Sequence, residues 1–133
     1  MSRIIFHESY IVVIPSFNKT VTHKHPFMHL FCGKNGCKVI VDEKEIQGNI
    51  ILTNSNVKHA TNEDNNFDFF LLIEPTSTIA KMLLEKYMLD SYYHRITKYV
   101  ADIPEDIRSL SDKEILHIVK NVFLNMGMSI ECT

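Results

Sequence analysis

His23-Lys24-His25-Pro26-Phe27-Met28-His29, followed by Leu30-Phe31-Cys32 and Gly33-Lys34-Asn35-Gly36, is the stretch that decides the fold. Residues two apart on a strand point the same way. His23 and His25 therefore share a face, and His29 has the same parity if the strand continues past Pro26. The strand pattern runs outward from here in both directions. Upstream, Arg3–His7 and Tyr10–Ile14 are rich in β-branched and aromatic residues, and Pro15-Ser16 ends the second run. Thr20–His25 alternates. Downstream of the Gly33–Gly36 turn signal, Cys37, Val39 and Val41 share one face, and Asp42-Glu43-Lys44 reads as another turn. Gly48 precedes a run over Asn49–Thr53, the loop Asn54-Ser55-Asn56 follows, and Val57–Thr61 and Phe67–Glu74 are further strand candidates. Short strands separated by frequent turns predict an antiparallel sandwich or barrel.

After Pro75 the period changes. Thr76 or Ser77 can cap a helix through Leu89, with Ile79, Met82, Leu83 and Tyr87 on one side. Pro104-Glu105-Asp106 suits the first turn of a short helix. Ser111-Asp112-Lys113-Glu114 is a capping box. It opens a helix whose wide apolar stripe runs through Ile115, Ile118, Val119, Val122, Phe123 and Met126, and Gly127 is placed to stop it. The chain thus divides into a β-barrel over residues 1–75 and two or three helices over 76–133, together one structural domain. A stripe this wide has to be buried. The expectation is that it packs on the barrel or forms a homodimer interface.

Composition removes several function classes. The chain has 133 residues, 45% hydrophobic and 23% charged, with a formal net charge of −2. Its 14 Lys and Arg and 16 Asp and Glu divide evenly between residues 1–75 and 76–133, so neither half is drawn to a phosphate backbone. There is no glycine-rich phosphate loop and no Gly-x-Ser-x-Gly elbow. The longest apolar runs, Ile11–Ile14 and Phe69–Ile73, are far too short for a membrane span. Met1–Glu8 is too brief for a signal peptide, and Cys32, Cys37 and Cys132 have no zinc-ribbon spacing. Reduced thiols and a cytoplasmic location are the expectation.

Imidazole is a good ligand for divalent first-row metals, and His59 arriving on a neighbouring strand would join His23, His25 and His29 in one pocket. The spacing resembles the cupin superfamily. Its first motif is His-x-His, three or four residues, Glu, six residues, Gly; here stand His23-x-His25, three residues, His29, and six residues to Gly36. Its second motif is Gly, five residues, Pro-x-Gly, two residues, His, three residues, Asn. Here Gly48 is followed by five residues, Asn54-x-Asn56, two residues, His59, and Glu63 in the last place. His29 thus stands where the family has glutamate, and Asn54 and Asn56 stand at its turn positions. Asparagine tolerates left-handed turn geometry. The resemblance implies a jelly-roll barrel with a pocket at His23, His25, His29 and His59, able to hold zinc, nickel, manganese or iron. Phe27, Phe31 and Val39 belong near that pocket if strand parity and bulges cooperate.

Leu71–Leu83 is similar to the exit from the sensor barrel of AraC-type transcription regulators, where an apolar strand enters an acidic-Pro-x-Ser segment and then an amphipathic helix. That resemblance implies a small-molecule effector inside the barrel and a homodimer through the C-terminal helices. DNA would be contacted only by a helix-turn-helix domain outside this sequence. The alternative is a metal-dependent cupin enzyme, an isomerase or dioxygenase acting on a small polar metabolite. No second catalytic pair stands out for it. His7, His94 and His117 lie outside the motif and are expected to be structural or exposed.

Overall fold

A computed structural model describes residues 3–15, 26–57, 59–60, 67–88, 93–96 and 102–128. Among these residues seven strands form one antiparallel sheet: β1 (Arg3–Phe6), β2 (Tyr10–Ile14), β3 (Met28–Val41), β4 (Lys44–Thr53), β5 (His59–Ala60), β6 (Phe69–Ile73) and β7 (Tyr93–Ile96). Helix α1 (Thr78–Tyr87), a 3-10 turn (Ile107–Ser109) and helix α2 (Asp112–Asn125) make up the helical part. The strand order is β1-β2-β6-β3-β4-β7, with β5 on β3. Among the described residues this path is open at both ends, so the sheet is not closed into the expected barrel. The strand expected over Thr20–His25 lies outside the described residues.

β3 organises the sheet. β4 runs along one edge of it from His29 to Val41, while the other edge is shared between β6, against Met28–Cys32, and β5, against Ile40 and Val41. The handover follows an irregularity. The pairing moves from Cys32↔Ile50 to Cys37↔Gly48, so β3 advances five residues while β4 moves two. Gly33-Lys34-Asn35-Gly36 is therefore a bulge within one long strand and not a turn between two. Side chains satisfy its displaced backbone. Asn49 Nδ2 donates to Gly33 O at 3.3 Å and to Lys34 O at 3.1 Å, and Lys34 N donates to Asp68 Oδ2 at 2.7 Å. Gly36 sits at φ +90°, a conformation L side chains rarely adopt. The true reversal is at Asp42-Glu43, both at positive φ, as two-residue hairpin turns require.

Alternation along β3 separates two cores. On one face Met28, Leu30 and Cys32 join Val12, Ile14, Leu52, Phe69, Leu71 and Ile73, and this face packs against Ile79, Ala80 and Leu83 of α1 and Ile115, Val119, Val122 and Phe123 of α2. On the other face Phe31, Cys37, Val39 and Val41 join Ile46, Ile51 and Val57, with Phe67, Phe70 and Tyr93 at the margin. The stripe of α2 is thus buried on the protein's own sheet. Its width is accounted for by packing within the chain.

The helix ends follow their sequence signals. Ser77 caps α1 by accepting from Ala80 N at 3.1 Å. Ser111 accepts from Glu114 N at 3.1 Å while Glu114 Oε1 accepts from Ser111 N at 3.0 Å, a reciprocal capping box. Those bonds hold the Glu114 carboxyl below its ordinary pKa. The folded pKa is depressed, so this contribution is present above the unfolded pKa and is lost as pH falls through the folded one. Ser111→Ala is expected to lower stability by about 1 kcal/mol in urea denaturation. The same variant should flatten the loss of stability on acidification. Gly127, at φ +80°, ends α2, whose last carbonyls are met from α1: Tyr87 Oη donates to Met126 O at 2.7 Å and Lys86 Nζ to Gly127 O at 3.5 Å.

Candidate functional site

His29 opens β3 and His59 lies on β5, paired with Val41 at the far end of the same strand. Twelve residues of straight strand would separate positions 29 and 41 by roughly 40 Å. Instead the two imidazole rings meet edge to face, with centroids 4.3 Å apart. The β3–β4 ribbon therefore curves between these positions, and the two histidines meet on its inner face.

Both are buried, His29 at 2% and His59 at 3% exposure. The His59 Nδ1 lies 2.9 Å from the Val57 carbonyl oxygen. A carbonyl only accepts, so Nδ1 carries the proton in this contact. A hydrogen bond of this kind fixes tautomer and orientation in imidazoles that bind metals or polar ligands. His29 stacks on Phe31, two residues along the same strand face, at 5.3 Å and 8°. Phe31 also meets His59 at 6.0 Å, Phe67 at 5.0 Å and Phe70 at 5.7 Å. Thr53, directly across from His29 on β4, is fully buried, and its hydroxyl makes no hydrogen bond among the described residues.

The structure brings together two of the four expected histidines. His23 and His25 lie outside the described residues. Among the described residues no three His, Cys, Asp or Glu side chains are grouped to hold a metal. Zinc sites use at least three protein ligands, so His29 and His59 by themselves fall short of a donor set for such an ion. Asn56 adopts φ +60°, the left-handed geometry expected of asparagine before His59.

Phe31 and Val39, expected near the histidines if strand parity holds, both lie on that inner face. Phe70 and Thr53 are additions that sequence reasoning missed. Their signal is register: Phe70 pairs with Phe31 and Thr53 with His29, and a pairing partner cannot be read from either strand alone. The other histidines lie elsewhere. His7 stacks on Tyr10 at 4.2 Å, His94 packs on Tyr87 at 4.9 Å, and His117 is exposed on α2.

Cys32 and Cys37 flank the bulge. Burial, then the neighbouring Cys37 and Asp68, raise the Cys32 thiol pKa far above its ordinary value; burial and Asp68 raise that of Cys37 to about 12. Cys37 Sγ donates to Gly48 O at 3.2 Å. Reactivity needs the thiolate, so both sulfurs act as packing groups. Away from the two histidines, a surface groove of about 690 Å³ runs between the β1–β2 turn and the outer side of α2, past His7, Pro104, Leu110, Lys113 and His117.

No family model and no curated protein matches this chain. Among solved structures, the chain is similar to a conserved protein of unknown function from Streptococcus pyogenes. That match has 14% identity and a TM-score of 0.43 over 58% of this chain and 75% of the other. No helix among the described residues is long and apolar enough to cross a membrane.

Proposed function

We propose that this chain is the small-molecule-sensing domain of a cupin-like, AraC-type transcription regulator, with its ligand held at the inner face of the bent β3–β4 ribbon. The observation that carries this reading is the meeting of His29 and His59, twelve strand positions apart by pairing, in a phenylalanine-walled interior. An apolar wall with a few convergent polar groups is the usual composition of a small-molecule site. Here the polar groups are the two imidazoles and the Thr53 hydroxyl. The sequence motif adds His23 and His25 to the set. Any DNA contact belongs to a domain outside this sequence.

Sensing requires that the ligand bind one arrangement of the domain better than another. The bulge at Gly33–Gly36 is the natural place for that difference, since a bulged strand bends locally. A ligand between the histidines and the phenylalanines would favour one degree of bend.

The test is a thermal melt of the wild type against a panel of small metabolites, with zinc, nickel, manganese and iron(II) in separate wells. A ligand at one hundred times its dissociation constant stabilises by about 2.7 kcal/mol, a shift of several degrees. His29→Ala and His59→Ala should each abolish that shift. His59→Ala also leaves the Val57 carbonyl without its donor, at a cost of about 1–3 kcal/mol in the unliganded protein. A shift that survives intact in both variants would move the site elsewhere, with the groove beside α2 the first place to look.

A further inference from the structure

β1 is the outermost strand on its side of the sheet, and β2 is its one neighbour among the described residues. Alternate backbone N–H and C=O groups of Arg3–Phe6 therefore face away from the sheet. Soluble proteins usually protect such an edge with lysine, proline or a bulge. β1 has none of these. Its one charged side chain, Arg3, turns back to Leu110 O at 2.7 Å, Arg108 O at 3.1 Å and the Asp112 carboxylate. What remains is Ile4-Ile5-Phe6. Ile5 is buried on the helix side, while Ile4 and Phe6 project from the opposite face at 54% and 75% exposure. Of the three large apolar side chains exposed among the described residues, two are these neighbours; the third is Leu124 on α2.

We propose that the protein forms a twofold dimer by pairing β1 with β1 of a second copy, so that one antiparallel sheet crosses both molecules. The edge is complementary to itself. With the twofold axis perpendicular to the sheet, Ile5 faces Ile5, and Ile4 of each copy faces Phe6 of the other. Opposed residues then lie on the same face of the joint sheet, as antiparallel pairing demands, and each apolar side chain meets an apolar one. A second copy fits better than an arbitrary strand because no charge is presented for a charged partner to match. The contact is short. A four-residue edge falls below the roughly 1,200 Å² typical of stable complexes, so the dimer is weak and dependent on concentration. Its formation does not depend on the ligand-binding reading.

The test is sedimentation of untagged protein from about 10 μM to about 1 mM, covering micromolar to millimolar dissociation constants. It is paired with amide hydrogen exchange at both ends of the range. Dimer should appear as concentration rises, and the Arg3–Phe6 amides should exchange more slowly at the high end. Ile4→Lys and Phe6→Asp, both at exposed positions, should each weaken association at least about tenfold with an unchanged melting temperature. Leu124→Ser should have no effect. A monomer throughout the range overturns the proposal. So does a dimer that persists in the Ile4→Asp/Phe6→Asp double variant, which sets like charges opposite each other, or one in which the β1 amides exchange at an unchanged rate.

Discussion

Phe123→Ala is expected to destabilise the protein by about 3–5 kcal/mol, seen as a lower urea midpoint with little change in slope. Phe123 is completely buried near the C-terminal end of α2, among the side chains that hold the helix to the sheet. Its ring lies 5.8 Å from that of Tyr10. Truncation removes the apolar area of the ring and leaves a cavity between two rigid elements that cannot close on it. Domains of this size are stable by only about 5–15 kcal/mol, so the variant should be partly unfolded at moderate temperature. Phe123→Leu should recover most of the loss. A cost below about 1 kcal/mol for the alanine variant would mean that α2 is not packed on the sheet as described.

Phe31→Ala should cost a similar amount, about 3–5 kcal/mol, and should have a second effect that Phe123→Ala lacks. Phe31 is the ring that His29, His59, Phe67 and Phe70 all touch. Without it, the inner face loses the surface against which His29 stacks. Histidine side-chain NMR signals at His29 and His59 should therefore shift strongly in Phe31→Ala and stay near their wild-type positions in Phe123→Ala. Phe31→Leu should restore most of the stability while leaving the His29 signal displaced, because leucine fills volume without presenting a flat face. If the alanine variant left both histidine signals in place, the aromatic cluster would not be what orients them.

Where a local rule governs an element, the sequence is sufficient. Tyr10–Ile14 is the strand its composition predicts, stopped by Pro15. The capping box at Ser111–Glu114 and the stop at Gly127 bound α2 because their hydrogen bonds are local. The short helix read at Pro104-Glu105-Asp106 is a 3-10 turn just beyond, at Ile107–Ser109. The differences arise where distant residues decide. Gly33–Gly36 has the composition of a turn, but Asn49 and Asp68 supply hydrogen bonds that keep the strand going through it. β7 is illegible in the sequence because four residues between helices carry little periodicity, and it exists by pairing with β4 from Ile50 to Thr53. At the site, the meeting of His29 and His59 is a contact between β3 and β5, two strands far apart in the sequence. The rings around them depend on register, which no single strand specifies.

The alternation along β3 has a mechanical side. Residues 28, 30 and 32 press on the helices while 29 and 31 face the interior with the histidines, so the strand is a party wall one peptide thick. It has no slack layer in which a displacement could dissipate. If His29 is pushed, the same backbone carries Met28 and Leu30 against the core beneath α1 and α2, which is close-packed and nearly incompressible. Whatever shifts the inner face by a fraction of an ångström must be registered on the helical side as a change of seating.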